Sequence, residues 1–120
     1  MYDERLISHF RNPRNAGELE PPAVTVEVSN PACGDILRLS VLFENGRVRK
    51  AAYKTRGCTA SIAAGSALTE LVSGKTPAEL RTLDATAIEE ALGGLPAESK
   101  HAAALCIDAV KAILKAAEKG

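Results

Sequence analysis

"ILRLSVLFENGRVRKAAYKTR", residues 36–56, is the stretch that decides the fold. Asn45-Gly46 stands between two β-like runs, and both residues tolerate the positive φ of a tight type I′ turn, the strongest short-range hairpin signal. Ahead of it, Leu37, Leu39, Val41 and Phe43 alternate with more polar neighbours, so 36–44 reads as a half-buried strand. Behind it, 47–56 is the returning strand. A two-residue turn pairs Glu44 with Arg47. Counting regularly down the ladder then sets Ile36 opposite Thr55 and, just past the end, Cys33 opposite Cys58.

Working outward, "AVTVEVS" alternates in the same way. Val24, Val26 and Val28 share one face and Thr25 and Glu27 the other, giving a strand over about 24–29. Three strands joined by short turns make an antiparallel meander. Before them, residues 2–10 form a short amphipathic helix with Leu6, Ile7 and Phe10 on one side. "RNPRNAGELEPP" reads as an irregular connection, since prolines and a glycine interrupt any ladder.

After the strands the pattern is helical. "TASIAAGSALTELVSG" places Ala64, Ala67, Leu68, Leu71 and Val72 on one stripe, and Gly74 ends it. "TPAEL" is a capping box from Thr76 to Glu79, with Pro77 at the first helical position. Two more helices are expected near 84–92 and 99–118. Strands first and helices afterwards predict an α+β fold in which helices cover one face of a three-stranded antiparallel sheet. At 120 residues, 1–120 is expected to be a single domain.

Composition narrows the function. Fifteen Lys and Arg cancel fifteen Asp and Glu, against the net basic face of a nucleic-acid binder. No run approaches a membrane span, and "MYDERLISHF" lacks the apolar core of a secretory signal. Three cysteines, an odd number, then suggest the reducing cytoplasm, where thiols serve metals or chemistry rather than disulfides. Arg47, Arg49, Lys50, Lys54 and Arg56 read as a solvated strand face, with docking of an acidic partner the weaker reading.

The hairpin brings two of the thiols to one rim of the sheet. Opposed Cβ atoms in such a ladder lie roughly 5 Å apart. Gly57-Cys58 enters a helix, whose free N–H groups and partial positive charge favour a thiolate. Asp35 offers an oxygen two residues from Cys33. Two thiolates and a hard carboxylate suit a metal or a cluster. The competing reading is a pair of buried cysteines acting as small hydrophobes.

These motifs carry a resemblance. "HFRNPRNAG" (9–17), "NPACGD" (30–35) and "GCTASIAAGSALTELVSGKT" (57–76) resemble, in order and spacing, the signatures of IscU/NifU-type iron–sulfur cluster assembly scaffolds. The resemblance runs nearly end to end. It implies a non-catalytic scaffold that transiently assembles a [2Fe–2S] cluster, receives sulfur from a cysteine desulfurase and passes the cluster to apo-proteins. It also implies Cys33 and Cys58 as ligands, with Asp35 beside them keeping the cargo labile; thiolate ligation suits iron–sulfur chemistry.

The third motif departs from the family. There, a histidine directly precedes the third cysteine; here the segment is "LPAESKHAAALCIDAVKA" (95–112). Alignment puts His101 on the family histidine and Ala102 on the cysteine position. Cys106 follows one helical turn later, about 6 Å along the axis. Asp108, Lys111, Lys115 and Glu118 form the polar stripe of this helix, so Cys106 lies on the apolar stripe with Val110, Ile113 and Ala117. Two ligand sets stay open: Cys33, Asp35, Cys58 and His101 for a metal, iron or alternatively zinc, or a set in which Cys106 enters for the cluster. The stretch that a dedicated chaperone recognises in the family reads "LPAES", so that chaperone is not counted among the partners. Two rival functions remain. One is a zinc-dependent sulfur acceptor of the SufU kind that activates a desulfurase, although the insertion typical of that kind is absent between Cys58 and Cys106. The other is a metal-binding or redox interaction module in which Cys33 and Cys58 pair.

Overall fold

A computed structural model of the chain describes residues 2–31 and 34–119. Helix α1 (Glu4–Arg11) leads into strands β1 (Val24–Asn30), β2 (Asp35–Glu44) and β3 (Arg47–Arg56). Helices α2 (Thr59–Val72), α3 (Pro77–Arg81) and α4 (Ala85–Ala91) follow, then a single 3-10 turn (Ala97–Ser99) and α5 (His101–Lys119). The sheet has the order β1-β2-β3, antiparallel throughout. The α+β architecture and the meander are those expected from the alternation and the Asn-Gly turn. Asn45 and Gly46 take φ of 55° and 76°, as a type I′ turn requires.

Register departs from the regular count. Phe43 pairs with Val48, but Leu42 pairs with Lys50, so Arg49 is an extra residue and Ile36 faces Arg56 rather than Thr55. The cause lies in the side chains. Val48 and Ala51 are both buried, with two exposed cations, Arg49 and Lys50, between them. A strict period of two cannot put both cations outside, and a bulge restores the alternation. Carried past the ladder, the same count sets Gly57 against Asp35. Cys33 itself lies outside the described residues, as does its expected place opposite Cys58.

One face of the sheet carries the core. Val24, Val26 and Val28 are paired with Val41, Leu39 and Leu37, and Leu39 and Val41 in turn with Tyr53 and Ala51. Against this face pack α2 and α5. Helix α2 is buried on more than the single expected stripe: Ala60, Ser61, Ala63, Gly65, Ser66 and Thr69 are buried too, while Leu71 is only half-buried. Small residues allow this, because α1 lies on one side and the sheet on the other. A Cβ at Gly65 would run into the Tyr53 ring. On α5 the polar stripe faces out, and Cys106, Val110 and Ile113 are buried as expected.

Two N-terminal expectations change. In α1 Leu6 is fully buried, but Phe10 is 37% exposed and His9 is buried in its stead. His9 meets Ser66 of α2, its Nδ1 lying 2.7 Å from Oγ. The connection after α1 is also less irregular than its prolines suggest. Asn15 and Gly17 bond the backbone of Tyr53, so the segment runs parallel to β3 and covers part of that edge. The capping box at Thr76 and Glu79 forms as read. Among the described residues, no helix is long and apolar enough to cross a membrane.

Candidate metal or cluster site

Three separate stretches end at one rim of the sheet. Asp35 is the first residue of β2 and closes the turn from β1. That turn needs Gly34, whose φ is 74° and whose N–H donates to the Asn30 carbonyl at 2.8 Å. Cys58 is the N-cap of α2, extended at φ −77° and ψ 172°. Its side chain makes no capping hydrogen bond, and the first turn holds no acidic residue, so the helix N-terminus keeps its positive potential for a thiolate or an anionic ligand. His101 is the first residue of α5.

Asp35, Cys58 and His101 each place one donor atom within 4.8 Å of the others. Asp35 Oδ2 is 3.1 Å from His101 Nε2 and 3.7 Å from Cys58 Sγ, and Sγ lies 3.8 Å from Nε2. An ionised carboxylate only accepts, so in this arrangement Nε2 carries the proton and donates it to Oδ2. Asp35 is 5% exposed, His101 is partly exposed and Cys58 is exposed. The trio therefore has a buried floor and an open mouth. One soft sulfur, one imidazole nitrogen and one carboxylate oxygen make a mixed donor set of the kind that zinc and iron accept.

Cys106 sits elsewhere. It is 1% exposed in the core, and burial pushes its thiol up to about 12. Tyr53 shares this interior. Its hydroxyl donates to the Ile62 carbonyl at 2.9 Å, and burial first, then the charge of a Cys106 thiolate, push it up to about 12.

Two residues of the site were not singled out in the sequence. Ser61 is buried three positions after Cys58, on the same side of α2, and donates its hydroxyl proton to Asp35 Oδ2. Gly57 leaves room for the same carboxylate: a Cβ there would stand 2.7 Å from both Cγ and Oδ1 of Asp35. Spacing alone offered a signal for Ser61, because i and i+3 share a helix face. Gly57 could be found only from the shifted register.

Comparison with known proteins places the chain in company. The model of the NifU-like N terminal domain family matches residues 1–119. The chain is 40% identical over 118 residues to the iron–sulfur cluster assembly scaffold protein IscU of Azotobacter vinelandii, covering 95% of this chain and 91% of that protein. It is 38% identical over 111 residues to iron–sulfur cluster assembly scaffold protein IscU 1 of Archaeoglobus fulgidus, covering 92% and 72%. Among solved structures it resembles the N-terminal NifU-like protein of Brucella abortus at a TM-score of 0.78 and 21% identity, over 98% of this chain and 94% of that one, a likeness of fold.

Proposed function

Because the chain belongs to the NifU-like N terminal domain family, we propose that it is a scaffold on which an iron–sulfur cluster is built and from which it is handed to apo-proteins. The observation that carries this reading is the convergence of Asp35, Cys58 and His101 at an open rim. The protein's part is binding rather than catalysis. Cys58 supplies a soft thiolate to iron, His101 an imidazole, and Asp35 a hard oxygen whose weaker hold suits a cargo that must leave. Cys33, two positions before Asp35 in the sequence, is proposed as the second thiolate of the set. The cargo is a [2Fe–2S] cluster, its sulfur delivered by a cysteine desulfurase.

Protons hold the trio together before loading. Cys58 S–H, His101 Nε2–H and the Ser61 hydroxyl are all directed at Asp35 Oδ2. A metal arriving there replaces the first two, since thiolate and neutral imidazole are the ligating forms. Cys106 is proposed as a core residue of the loaded scaffold. Its buried thiol, held near 12, would have to lose both its proton and its packing to become a ligand.

Anaerobic incubation of the purified protein with ferrous iron, sulfide and a thiol reductant tests the reading. Visible absorbance should develop on the protein and then move to an added apo-ferredoxin. A colourless protein would end the proposal. Tightly held zinc that iron and sulfide leave in place would support the sulfur-acceptor alternative.

A further inference from the structure

We infer that Ser61 is a positioning residue of this site, aiming Asp35 at whatever metal Cys58 and His101 hold; the inference rests on the metal-site reading above. Ser61 is 4% exposed. Ser61 is the third residue of α2, in its first turn, where no earlier turn of the helix is available to accept its hydroxyl. Here it reaches off α2 to the first residue of β2 and donates to Asp35 Oδ2. The hydroxyl has one proton, and the carboxylate takes it. The lone pairs of Oγ then face Cys58 Sγ, 3.4 Å away.

The other carboxylate oxygen is confined as well. Oδ1 lies over Gly57, where a Cβ would come within 2.7 Å of it. Asp35 is thus held between a bare backbone on one side and a hydroxyl on the other, and among the described residues Oδ2 is the oxygen that meets Cys58 Sγ and His101 Nε2. Among the described residues the hydroxyl bonds Asp35 and meets Cys58 Sγ, and it makes no bond to the backbone of α2. What needs it is a buried carboxylate that would otherwise keep, among the described residues, His101 Nε2–H and the weaker Cys58 S–H, the two donors that a metal displaces. Hydrogen bonds behind a ligand set its orientation, and their loss commonly costs roughly 10–100-fold in metal affinity.

Cobalt(II) is a suitable probe, because its absorption reports sulfur and oxygen ligation separately. Ser61→Ala should raise the Co²⁺ dissociation constant about tenfold. It should leave the sulfur-to-cobalt charge-transfer band in place, because Cys58 is untouched, and change the ligand-field bands, because the carboxylate is no longer aimed. Ser61→Thr, which keeps a hydroxyl, should restore most of the affinity. In an Asp35→Ala background, Ser61→Ala should add no further loss, since the residue acts through Asp35.

Unchanged affinity in Ser61→Ala overturns the inference. So does an equal loss in the Asp35→Ala background, which would mean that Ser61 serves the fold or the cysteine. Should Ser61→Ala fail to fold, Ser61→Val, which matches the shape of Ser61→Thr but has no hydroxyl, carries the same comparison. Wild-type protein that takes up no Co²⁺ would overturn the metal-site reading itself, and this inference with it; normal wild-type uptake with an indifferent Ser61→Ala sinks this inference alone.

Discussion

Cys58 and Cys106 are both thiols on the sheet-facing helices, and their surroundings give them opposite chemistry. Cys58 caps α2 at the rim, exposed and without a capping bond, with a carboxylate and an imidazole within 4 Å of its sulfur. Cys106 lies on the inward stripe of α5, 1% exposed, packed with the aliphatic core and held protonated by burial. Side-chain chemistry is shared; solvent access and neighbouring polar atoms are not. Location therefore separates a thiol that can ligate from one that packs.

The largest expected contrast is in reactivity. Moving a thiol from its ordinary 9.0 to about 12 lowers its thiolate fraction near pH 8 about a thousandfold, before access is considered. Brief treatment of the native protein with iodoacetamide at that pH, followed by peptide mass mapping, should label the Cys58 peptide and spare the Cys106 peptide. Equal labelling would dissolve the contrast. The next effect is on loading. Cys58→Ala should weaken Co²⁺ or iron binding by more than roughly 100-fold, beyond what a merely supporting residue costs. Cys106→Ala should leave affinity and the yield of reconstituted cluster unchanged. A cluster lost in Cys106→Ala would return that residue to the ligand set.

Gly57→Ala probes the rim with a smaller change. The new Cβ would displace the Asp35 carboxylate, and because φ at Gly57 lies outside the left-handed region the backbone itself is not strained. Metal affinity should fall about tenfold, as for other losses of ligand orientation. Equilibrium unfolding of the metal-free protein should register little. The interior behaves the other way round. Cys106→Ala deletes one buried heavy atom and should cost about 1 kcal/mol of stability in urea unfolding, the scale of a single buried methyl deletion, with metal affinity untouched.

Much of this was legible in the residues. Strict alternation and Asn45-Gly46 carried the meander, and the apolar stripe of α5 put Cys106 inside. His101 was singled out by its place in the third motif, and it does meet Asp35 and Cys58. What escaped depends on partners far away in the chain. The bulge at Arg49 had a local trace, two cations between two apolar residues, that a regular count overrides. Ser61 and Gly57 acquire their roles only from Asp35, more than twenty residues earlier. In α1 the apolar pattern favoured Phe10, yet His9 goes inside because Ser66, 57 positions on, satisfies its ring.

His9 gives the smallest expected effect and extends the contrast between rim and interior to a base. Burial raises an acid such as the Cys106 thiol and lowers a base such as imidazolium, because in both cases the charged form is penalised. At His9 burial is the largest cause of the depression, Arg14 adds to it, and Glu70, 3.5 Å from Nε2, opposes it. The folded chain thus holds His9 neutral at a pH where the unfolded chain, near 6.5, already takes up a proton. The stabilisation is fully present above 6.5 and is lost as the pH falls from there through the lower folded-state value. Urea midpoints measured between pH 7.5 and 5 should therefore decline, and His9→Gln, which keeps a polar side chain near Ser66 but cannot titrate, should flatten the part of that decline that begins near 6.5. An identical decline in the variant would mean that the interior around His9 is wet enough to accept the charge, and the rule that separates Cys106 from Cys58 would then stop short of α1.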